Sequence, residues 1–379
     1  MNGSIQHRPD RPRPWKARYR GFTGREHSMS FRRKVDAERW LRDEIGKLDR
    51  GVWVDPHGGT VRLAEWSEDW LRGLHVKPKT HAGYRELLDN LVLPTFGNAE
   101  VRRITPDKIR HWIADMAESG LSASRMRQAT GVLRANLQQA VLDGRLGRNA
   151  ADGAKVPKTV EREPRFLTAD QLRALVQAVE NRQHGAGLLV EVAGWSGLRW
   201  GEVVALRRRS VNVLARKLSI SEAATEVNGK LIFGTTKTHE TRTIILPREV
   251  AEKVGSRMAS LQGDDLIFTA PKGGPLRRSN WSWRVWKPTL QDLEGLVPDD
   301  LWIHDLRDTA ASLMVASGAS ILAVSRQLGH VNATVTLERY AHLYDDDLEA
   351  LAVRLDDRYA EDAAAHTRPK SGPSVIGLS

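Results

Sequence analysis

The sequence predicts a multidomain α+β protein whose three parts differ in secondary structure. Short strand-like runs occupy the first 55 residues, helical periodicity dominates residues 61–150, and residues 166–357 combine helices with a few strands. A chain of 379 residues is long enough for two or three domains, each with its own core. We therefore predict a small three-stranded sheet with one helix, then an all-helical domain, then a mainly helical domain with a small antiparallel sheet.

Residues 1–55 have the pattern of a small separate module. Runs at 4–7, 15–20 and 27–31 predict three strands, and an apolar stripe from residue 37 to 48 predicts a helix behind them. A solvated face would also tolerate the charges on these strands. A basic sheet face can instead enter the major groove of DNA, and the scarcity of Asp and Glu here favours that interpretation. The basic residues are Arg8, Arg11, Arg13, Lys16, Arg18 and Arg20.

Residues 61–150 are predicted to form four helices. Thr105 followed by Pro106 is the typical order of a helix cap and first turn, and it opens the third of them. Four helices can serve as a scaffold alone, but the basic side chains left for an outer face indicate contacts with phosphates. These side chains are Arg102, Arg103, Lys108, Arg110, Arg125 and Arg127. Residues 151–165 are predicted to be a polar, basic linker, interrupted by Gly153, Pro157 and Pro164, that includes Lys155 and Lys158. After it, T-A-D-Q at residues 168–171 is predicted to be a capping box that opens a helix.

Composition restricts the classes of function. The 58 Lys and Arg against 47 Asp and Glu give a net charge of +11, which favours nucleic acid over a membrane surface as the partner. The absence of cysteine excludes a disulfide framework and Cys-based zinc sites. No apolar run approaches the ~20 residues of a membrane span, and no signal peptide is visible. We therefore expect a soluble, cytoplasmic protein.

The strongest chemical signal lies between residues 304 and 340. The motifs H-D-L-R, L-G-H and E-R-Y-A-H-L fall on or beside three short predicted helices. Alone, a Tyr on a helix is usually a core residue and a His at a helix end is usually a cap. As an ordered set, these motifs bring two imidazoles, a guanidinium and a phenol to the place where the helices meet. The four residues are His304, Arg307, His330 and Tyr340.

A second group of polar residues lies upstream. Arg199, in S-G-L-R-W-G-E, is predicted between two helices, so its head group can leave the core. Strands are predicted at 218–221, 231–233 and 241–246, and the last two are joined by T-T-K-T-H-E. This arrangement predicts that Lys237 lies near a hairpin tip. Such a Lys is normally solvated, but the flanking threonines and the other polar motifs favour a functional role.

These motifs resemble the tyrosine recombinase family, in its phage-integrase branch, from residue 1 to about residue 357. The resemblance rests on S-G-L-R-W-G-E, T-K-T-H-E-T-R, H-D-L-R, L-G-H and E-R-Y-A-H-L in the family's order. It identifies residues 1–55 with an arm-type DNA-binding domain, residues 61–150 with a SAM-like core-binding domain, and residues 166–357 with the catalytic domain. Residues 358–379 are predicted to be a disordered tail.

The resemblance implies a site-specific DNA recombinase, an integrase that inserts or excises a phage or other mobile element through a 3′-phosphotyrosine intermediate. It implies that Tyr340 is the nucleophile and that Lys237 protonates the leaving 5′ oxygen. The remaining implied catalytic residues are Arg199 and Arg307, which clamp the scissile phosphate, and His304 and His330, which bind it and assist proton transfer. Asp308 stands where the family commonly has a second His, which leaves its local hydrogen bonding open. Glu202 matches a structural glutamate.

The implied partners are double-stranded DNA at core-type and arm-type sites, further copies of the chain in a homotetramer on DNA, a host DNA-bending protein and a directionality factor. No Mg²⁺-ligand spacing and no Walker lysine loop is present, so neither a metal nor ATP is expected. A C-terminal apolar helix is expected to pack either on its own domain or on a neighbouring protomer. The alternatives are a DNA-binding regulator with a relic active site and a recombinase like the chromosome-dimer resolvases. The candidate DNA contacts are Arg8, Lys16, Arg18, Arg20, Arg102, Arg103, Arg125, Arg127, Lys155 and Lys158.

Overall fold

The computed structural model describes residues 3–22, 24–158, 162–227, 229–235, 241–343 and 347–367. The chain divides into two units, Met1–Glu161 and Arg162–Ser379. Lys237, the predicted general acid, lies outside the described residues. No helix in the described ranges is both long and apolar enough to cross a membrane.

The first unit begins with the predicted three-stranded sheet. Strands β1 (Gly3–His7), β2 (Trp15–Arg20) and β3 (Glu26–Phe31) pair antiparallel in that order, and helix α1 (Lys34–Asp49) covers one face. Ala17 and Tyr19 of β2 are buried on the helix side, because alternate residues of a strand point to opposite faces. The three strands and the helix confirm the predicted module.

The rest of the first unit is helical, as predicted. An apolar cluster that includes Leu63, Trp66, Leu133 and Leu137 forms its core. The helix that begins at Pro78 continues beyond Pro94 to Phe96, because a π-helical segment at Leu88–Val92 joins its two α-helical parts. The helices are α2 (Leu63–Arg72), α3 (Pro78–Leu87), α4 (Leu93–Phe96), α5 (Pro106–Glu118) and α6 (Ala123–Leu142).

The second unit is a mainly helical domain around one large apolar core. Its first helix starts at the predicted capping box, in which Thr168 and Gln171 satisfy each other's backbone amides. The helix Gly187–Ser196 packs against the helices Ala169–Arg182 and Asp305–Ala316, and the three carry much of this core. The helices before the sheets are α7 (Ala169–Arg182), α8 (Gly187–Ser196) and α9 (Trp200–Val203). Those after the sheets are α10 (Arg248–Arg257), α11 (Arg278–Trp281), α12 (Lys287–Asp292), α13 (Asp305–Ala316), α14 (Ile321–Leu328), α15 (Ala333–Tyr340) and α16 (Asp347–Thr367).

The predicted hairpin around Lys237 is wrong. The two strands that flank residues 236–240 lie in different sheets, one of order β4-β5-β8 and one of order β6-β7. The sequence E-A-A-T-E-V of β6 lacks the β-branched alternation typical of a strand, so this partner of β7 was missed. The Asn-Gly dipeptide between β6 and β7 is the hairpin signal. The strands are β4 (Val211–Asn212), β5 (Lys217–Ile220), β6 (Glu222–Val227), β7 (Lys230–Thr235) and β8 (Arg242–Ile245).

The predicted disordered tail is also wrong over residues 358–367, because α16 continues to Thr367. This segment is rich in Ala, which has the highest helix propensity. Arg358 pairs with Glu361 and Asp362 one turn later, as helical spacing allows. The predicted tail beyond residue 367 lies outside the described residues.

We expect Gly197 and Gly318 to respond differently to alanine. Both have left-handed backbones, with φ values of +70° and +78°, which cost an L-residue about 1–2 kcal/mol. A Cβ at Gly197 would lie 2.3 Å from Leu328, whereas one at Gly318 would meet nothing within 4 Å. Crowding the core adds about 1–3 kcal/mol. Calorimetric melting of the full chain should therefore show a clearly larger loss for Gly197→Ala than for Gly318→Ala, and equal losses would contradict the packing described here.

Candidate active site

Arg199 is placed by the break between α8 and α9. Gly197 takes the left-handed conformation after Ser196 ends α8, and Arg199 then stands extended at the start of α9. The Glu202 carboxylate accepts hydrogen bonds from the Arg199 backbone amide at 2.9 Å and from its Nη1 at 3.2 Å. The predicted position between two helices is what the structure shows, and the Arg199 side chain is 35% exposed.

Arg242 is a residue that the sequence reasoning did not single out. Its guanidinium donates two hydrogen bonds to Glu202, at 2.9 and 2.8 Å, and its buried Nε has no hydrogen-bond partner in the described ranges. Burial alone would raise the pKa of Glu202, but the Arg242 hydrogen bonds and charge, helped by Arg199, hold that pKa below its usual value. The sequence signal for this residue was its place at the end of the motif T-K-T-H-E-T-R. Gly329 makes room for this guanidinium, since a Cβ there would lie 2.6 Å from Arg242.

Arg307 lies at the centre of this positive charge. It is only 4% exposed, and its Nη1 donates to the Gly197 carbonyl at 2.7 Å. Its Nη2 is buried and has no hydrogen-bond partner among the residues that the structure describes. Burial, reinforced by the charge of Arg199, lowers the pKa of Arg307 to about 10. In the described part of the chain no carboxylate forms an ion pair with it. A buried guanidinium with an unused donor is a group prepared to bind an anion.

The two histidines stand at helix boundaries. His304 stands just before α13 rather than within it. The residue keeps contact with solvent, but desolvation by the surrounding protein is the largest effect on its pKa and lowers that pKa. His330 follows Gly329 after α14, and its Nδ1 lies 2.7 Å from the hydroxyl of buried Thr336. Burial and the charges of Arg307 and Arg199 lower the pKa of His330 to about 4. Both rings are therefore neutral near pH 7, each with one donor and one acceptor nitrogen.

Tyr340 is the last residue of α15 and is 2% exposed. Its ring belongs to a small apolar cluster with Ala311, Val324 and Leu328. Its hydroxyl donates to Oδ1 of Asp308 at 2.5 Å. Burial, and then the charge of Asp308, raises the pKa of the phenol well above its ordinary value.

Asp308 is the buried partner of the tyrosine. It is 1% exposed and accepts two further hydrogen bonds from Arg339, at 2.8 Å to Oδ1 and 2.6 Å to Oδ2. The hydrogen bonding that the sequence left open at this position is thus directed at Tyr340 and its neighbour. The sequence reasoning missed Arg339. The feature that could have indicated it is its position directly before the tyrosine in E-R-Y.

The structure brings five of the six predicted catalytic residues into one charged region. The charges of Arg199 and Arg307 both act on His330, and the charge of Asp308 acts on His304 and Tyr340. Beside Glu202 this region holds three guanidiniums, those of Arg199, Arg242 and Arg307. Glu202 is hydrogen-bonded to the first two of them. This region can bind an anion with several oxygens beside a phenol.

The predicted DNA contacts lie in the first unit. Lys16, Arg18 and Arg20 alternate along β2 on the face opposite to buried Tyr19. The remaining candidates fall into two groups: some are exposed, and others are held by an ion pair or a side-chain hydrogen bond. Arg102 and Arg103 pair with Glu100, Arg125 pairs with Glu86, Arg8 donates to Gln6, and Arg127, Lys155 and Lys158 are exposed.

Comparison with known proteins gives a consistent family match. The model of the phage integrase family matches residues 165–347, and that of the phage integrase N-terminal SAM-like domain matches residues 62–117. The chain is 29% identical over 357 residues to the putative prophage phiRv2 integrase of Mycobacterium tuberculosis (strain CDC 1551 / Oshkosh), which covers 90% of this chain and 92% of that relative.

Solved structures share the fold. The Tn1549 transposon integrase in complex with a circular intermediate DNA matches with a TM-score of 0.68 and 20% identity, over 77% of this chain and 99% of that one. A lambda integrase tetramer bound to a Holliday junction matches with a TM-score of 0.58 and 20% identity, over 84% of this chain and 91% of that one. The predicted fold class is thereby confirmed.

The lowered pKa of His330 predicts a pH-dependent stability. Because the folded-state pKa is about 4 and the ordinary value is 6.5, the unfolded chain binds more protons between these pH values. Stability should therefore fall as the pH drops through this window, and His330→Asn should weaken the fall. Melting temperatures from pH 7 to pH 4 test this, with exposed His75→Asn as the matched control. An unchanged pH dependence in His330→Asn would contradict the prediction.

Proposed function

This chain belongs to the phage integrase family and is a tyrosine site-specific recombinase, and we propose that it cleaves and rejoins double-stranded DNA through a bond between Tyr340 and a 3′ phosphate. In this way it integrates or excises a phage or other mobile element. The observation that supports the proposal is the buried Arg307 guanidinium, with its unpartnered Nη2, in a region of excess positive charge beside a buried phenol.

The arginines bind the phosphate that is attacked. Attack on a phosphodiester builds charge on its non-bridging oxygens, and a planar guanidinium can bind such oxygens in a bidentate way. Arg307 supplies a donor that has no protein partner, and Arg199 supplies a second guanidinium that is 35% exposed. Arg242 and Glu202 act on Arg199 by fixing the carboxylate to which it is hydrogen-bonded.

Proton transfer accompanies each exchange of bonds. Tyr340 forms a bond to phosphorus, and Lys237 protonates the 5′ oxygen that leaves. Neutral His304 and His330 each offer a donor nitrogen to the phosphate and an acceptor nitrogen for a proton. The phosphotyrosine bond keeps the energy of the broken DNA bond, so the strand is rejoined without ATP.

The domains divide DNA recognition between them. Residues 1–55 bind arm-type sites, residues 61–150 bind core-type sites, and the linker 151–165 crosses the DNA backbone to the catalytic residues 166–357. Four copies assemble on DNA, together with a host DNA-bending protein and a directionality factor. The DNA complexes of the similar integrases support DNA as the partner. Exposed Leu351, Val353 and Leu355 of α16 support packing of this helix on a neighbouring protomer.

The covalent intermediate provides the direct test. A core-site duplex with a nick just downstream of the scissile phosphate releases a short 5′-hydroxyl fragment, so rejoining stops and the adduct accumulates. We expect a single adduct on Tyr340, linked to a 3′ phosphate and mapped by mass spectrometry. Tyr340→Phe removes only the hydroxyl and leaves the ring in its apolar cluster, so it should bind DNA and form no adduct.

Other outcomes identify the alternatives. An adduct on Tyr344, which lies outside the described residues, or a 5′ linkage would refute the assignment. Binding to a verified core site with no adduct would favour a DNA-binding regulator with a relic active site. Adducts formed without regard to sequence would favour a topoisomerase. Activity on a single pair of core sites without arm-type DNA would favour a resolvase-like recombinase.

The basic face of β2 predicts a salt-dependent contact with arm-type DNA. Each phosphate contact contributes about −0.9 to the slope of log affinity against log salt. Replacing Lys16, Arg18 and Arg20 by Gln should therefore reduce the slope by up to about 3 on arm-type DNA and leave binding to core-type DNA unchanged. Arg42→Gln, exposed on α1 behind the sheet, is the control. Equal losses on both kinds of DNA would contradict the division of labour.

A further inference from the structure

We propose that Asp308 is a catalytic residue: its carboxylate accepts the phenolic proton of Tyr340 during cleavage and returns it when the strand is rejoined. The proposal rests on the proposed function, because it requires Tyr340 to be the nucleophile. It assigns a role to a position where the family commonly has a histidine.

The contact between the two groups is short and protected from water. The Tyr340 hydroxyl donates to Oδ1 of Asp308 at 2.5 Å, and the two residues are 2% and 1% exposed. A phenol that forms an ester must lose its proton, and here the bulk solvent cannot take it directly. In the described ranges Asp308 is the acceptor that the hydroxyl contacts, since Arg307 and Arg339, the other charged groups that act on it, carry only donors.

Helix α13 places this carboxylate beside the phosphate-binding group. Asp308 directly follows Arg307, so one turn of helix brings a guanidinium to the anion and a carboxylate to the phenol. Arg339 anchors both oxygens of the carboxylate with two hydrogen bonds, one of them to the Oδ1 that also accepts from the Tyr340 hydroxyl, and it directly precedes Tyr340 on α15. Acceptor and nucleophile are thus held by the same pair of helices.

The histidines are less well placed for this proton. Nδ1 of His330 is engaged with Thr336 at 2.7 Å. His304 lies at the exposed start of α13, and in the described part of the chain neither ring is hydrogen-bonded to the Tyr340 hydroxyl. Their neutral rings remain available to the phosphate and to the leaving oxygen.

The step balances in atoms and charge. The bond from Tyr340 Oη to phosphorus forms as its proton moves to Asp308 Oδ1, and the bond from phosphorus to the 5′ oxygen breaks as that oxygen takes a proton from a separate acid. The phosphodiester keeps one negative charge, and Asp308 becomes a neutral carboxylic acid. Rejoining reverses each event. The phenol becomes strongly acidic only as its bond to phosphorus forms, so transfer occurs within the attack itself.

The same contact is compatible with an opposite role, in which Asp308 restrains Tyr340 as an unreactive neutral phenol. The two roles differ in the sign of their effect on rate. Removing a proton acceptor slows cleavage, whereas removing a restraint accelerates it.

The experiment measures single-turnover cleavage of the nicked core-site duplex by the full chain, at saturating DNA, from pH 6 to pH 10. Asp308→Asn should lower the rate at pH 7 by about 10²–10⁴, the usual contribution of a positioned base, and the deficit should shrink as the pH rises. Asp308→His should restore much of the rate, with a rise near the pKa of an imidazole that the wild-type chain lacks. This variant also carries the test if Asp308→Asn does not fold.

Asp305→Asn is the matched control. Asp305 is a buried carboxylate one turn earlier on α13, and it is bonded to Arg162 at 2.8 Å rather than to the tyrosine. Its loss should lower the melting temperature without a deficit that shrinks at high pH. Faster cleavage, an unchanged rate or a deficit equal at every pH in Asp308→Asn would each overturn the proposal. Absence of a Tyr340 adduct in the wild-type chain would instead overturn the proposed function.

Discussion

The active region depends on one buried carboxylate that holds two guanidiniums beside a third, which pairs with no carboxylate in the described part of the chain. Glu202 is 2% exposed and binds both Arg199 and Arg242, and this pairing offsets the cost of burying its charge. In the described part of the chain Arg307 has no such partner, and burial, reinforced by the charge of Arg199, lowers its pKa. The folded chain thus stores an unfavourable arrangement of like charges, which a bound anion relieves.

Backbone geometry makes this arrangement possible at two glycines. Gly197 turns the chain so that its carbonyl accepts from Arg307 while Arg199, two residues later, reaches Glu202. Gly329 leaves the space that Arg242 fills, directly before His330. A side chain at Gly329 would displace Arg242, and one at Gly197 would press on Leu328, which packs in the same apolar cluster as Tyr340. The S-G-L-R and L-G-H motifs therefore have a steric explanation as well as a chemical one.

The sequence was sufficient for features determined by local chemistry. The basic strand β2 alternates with a buried face, and the caps at Thr105 and Thr168 begin the helices they were predicted to begin. What the sequence could not supply were partners set by the tertiary fold. Strand β6 pairs across a tight turn despite weak strand propensity, and Asp308 reaches Arg339 and Tyr340 from 31 and 32 residues away. Such contacts produce no periodic pattern in the sequence. Periodicity therefore did not distinguish Arg242 and Arg339 from the many other arginines.

The distribution of charge explains how the free protein keeps the proposed nucleophile, Tyr340, in its unreactive neutral form. Burial, and then the adjacent Asp308 carboxylate, favours the neutral phenol, and together they outweigh the charges of Arg339 and Arg307, which favour its ionised form. In the proposed mechanism, a phosphate that binds Arg199 and Arg307 brings its phosphorus to the phenol and also neutralises the excess positive charge. Reactivity then depends on the presence of the DNA phosphate rather than on a permanently ionised tyrosine. Under the role proposed for Asp308, the proton lost in cleavage stays beside the tyrosine oxygen and is available for rejoining.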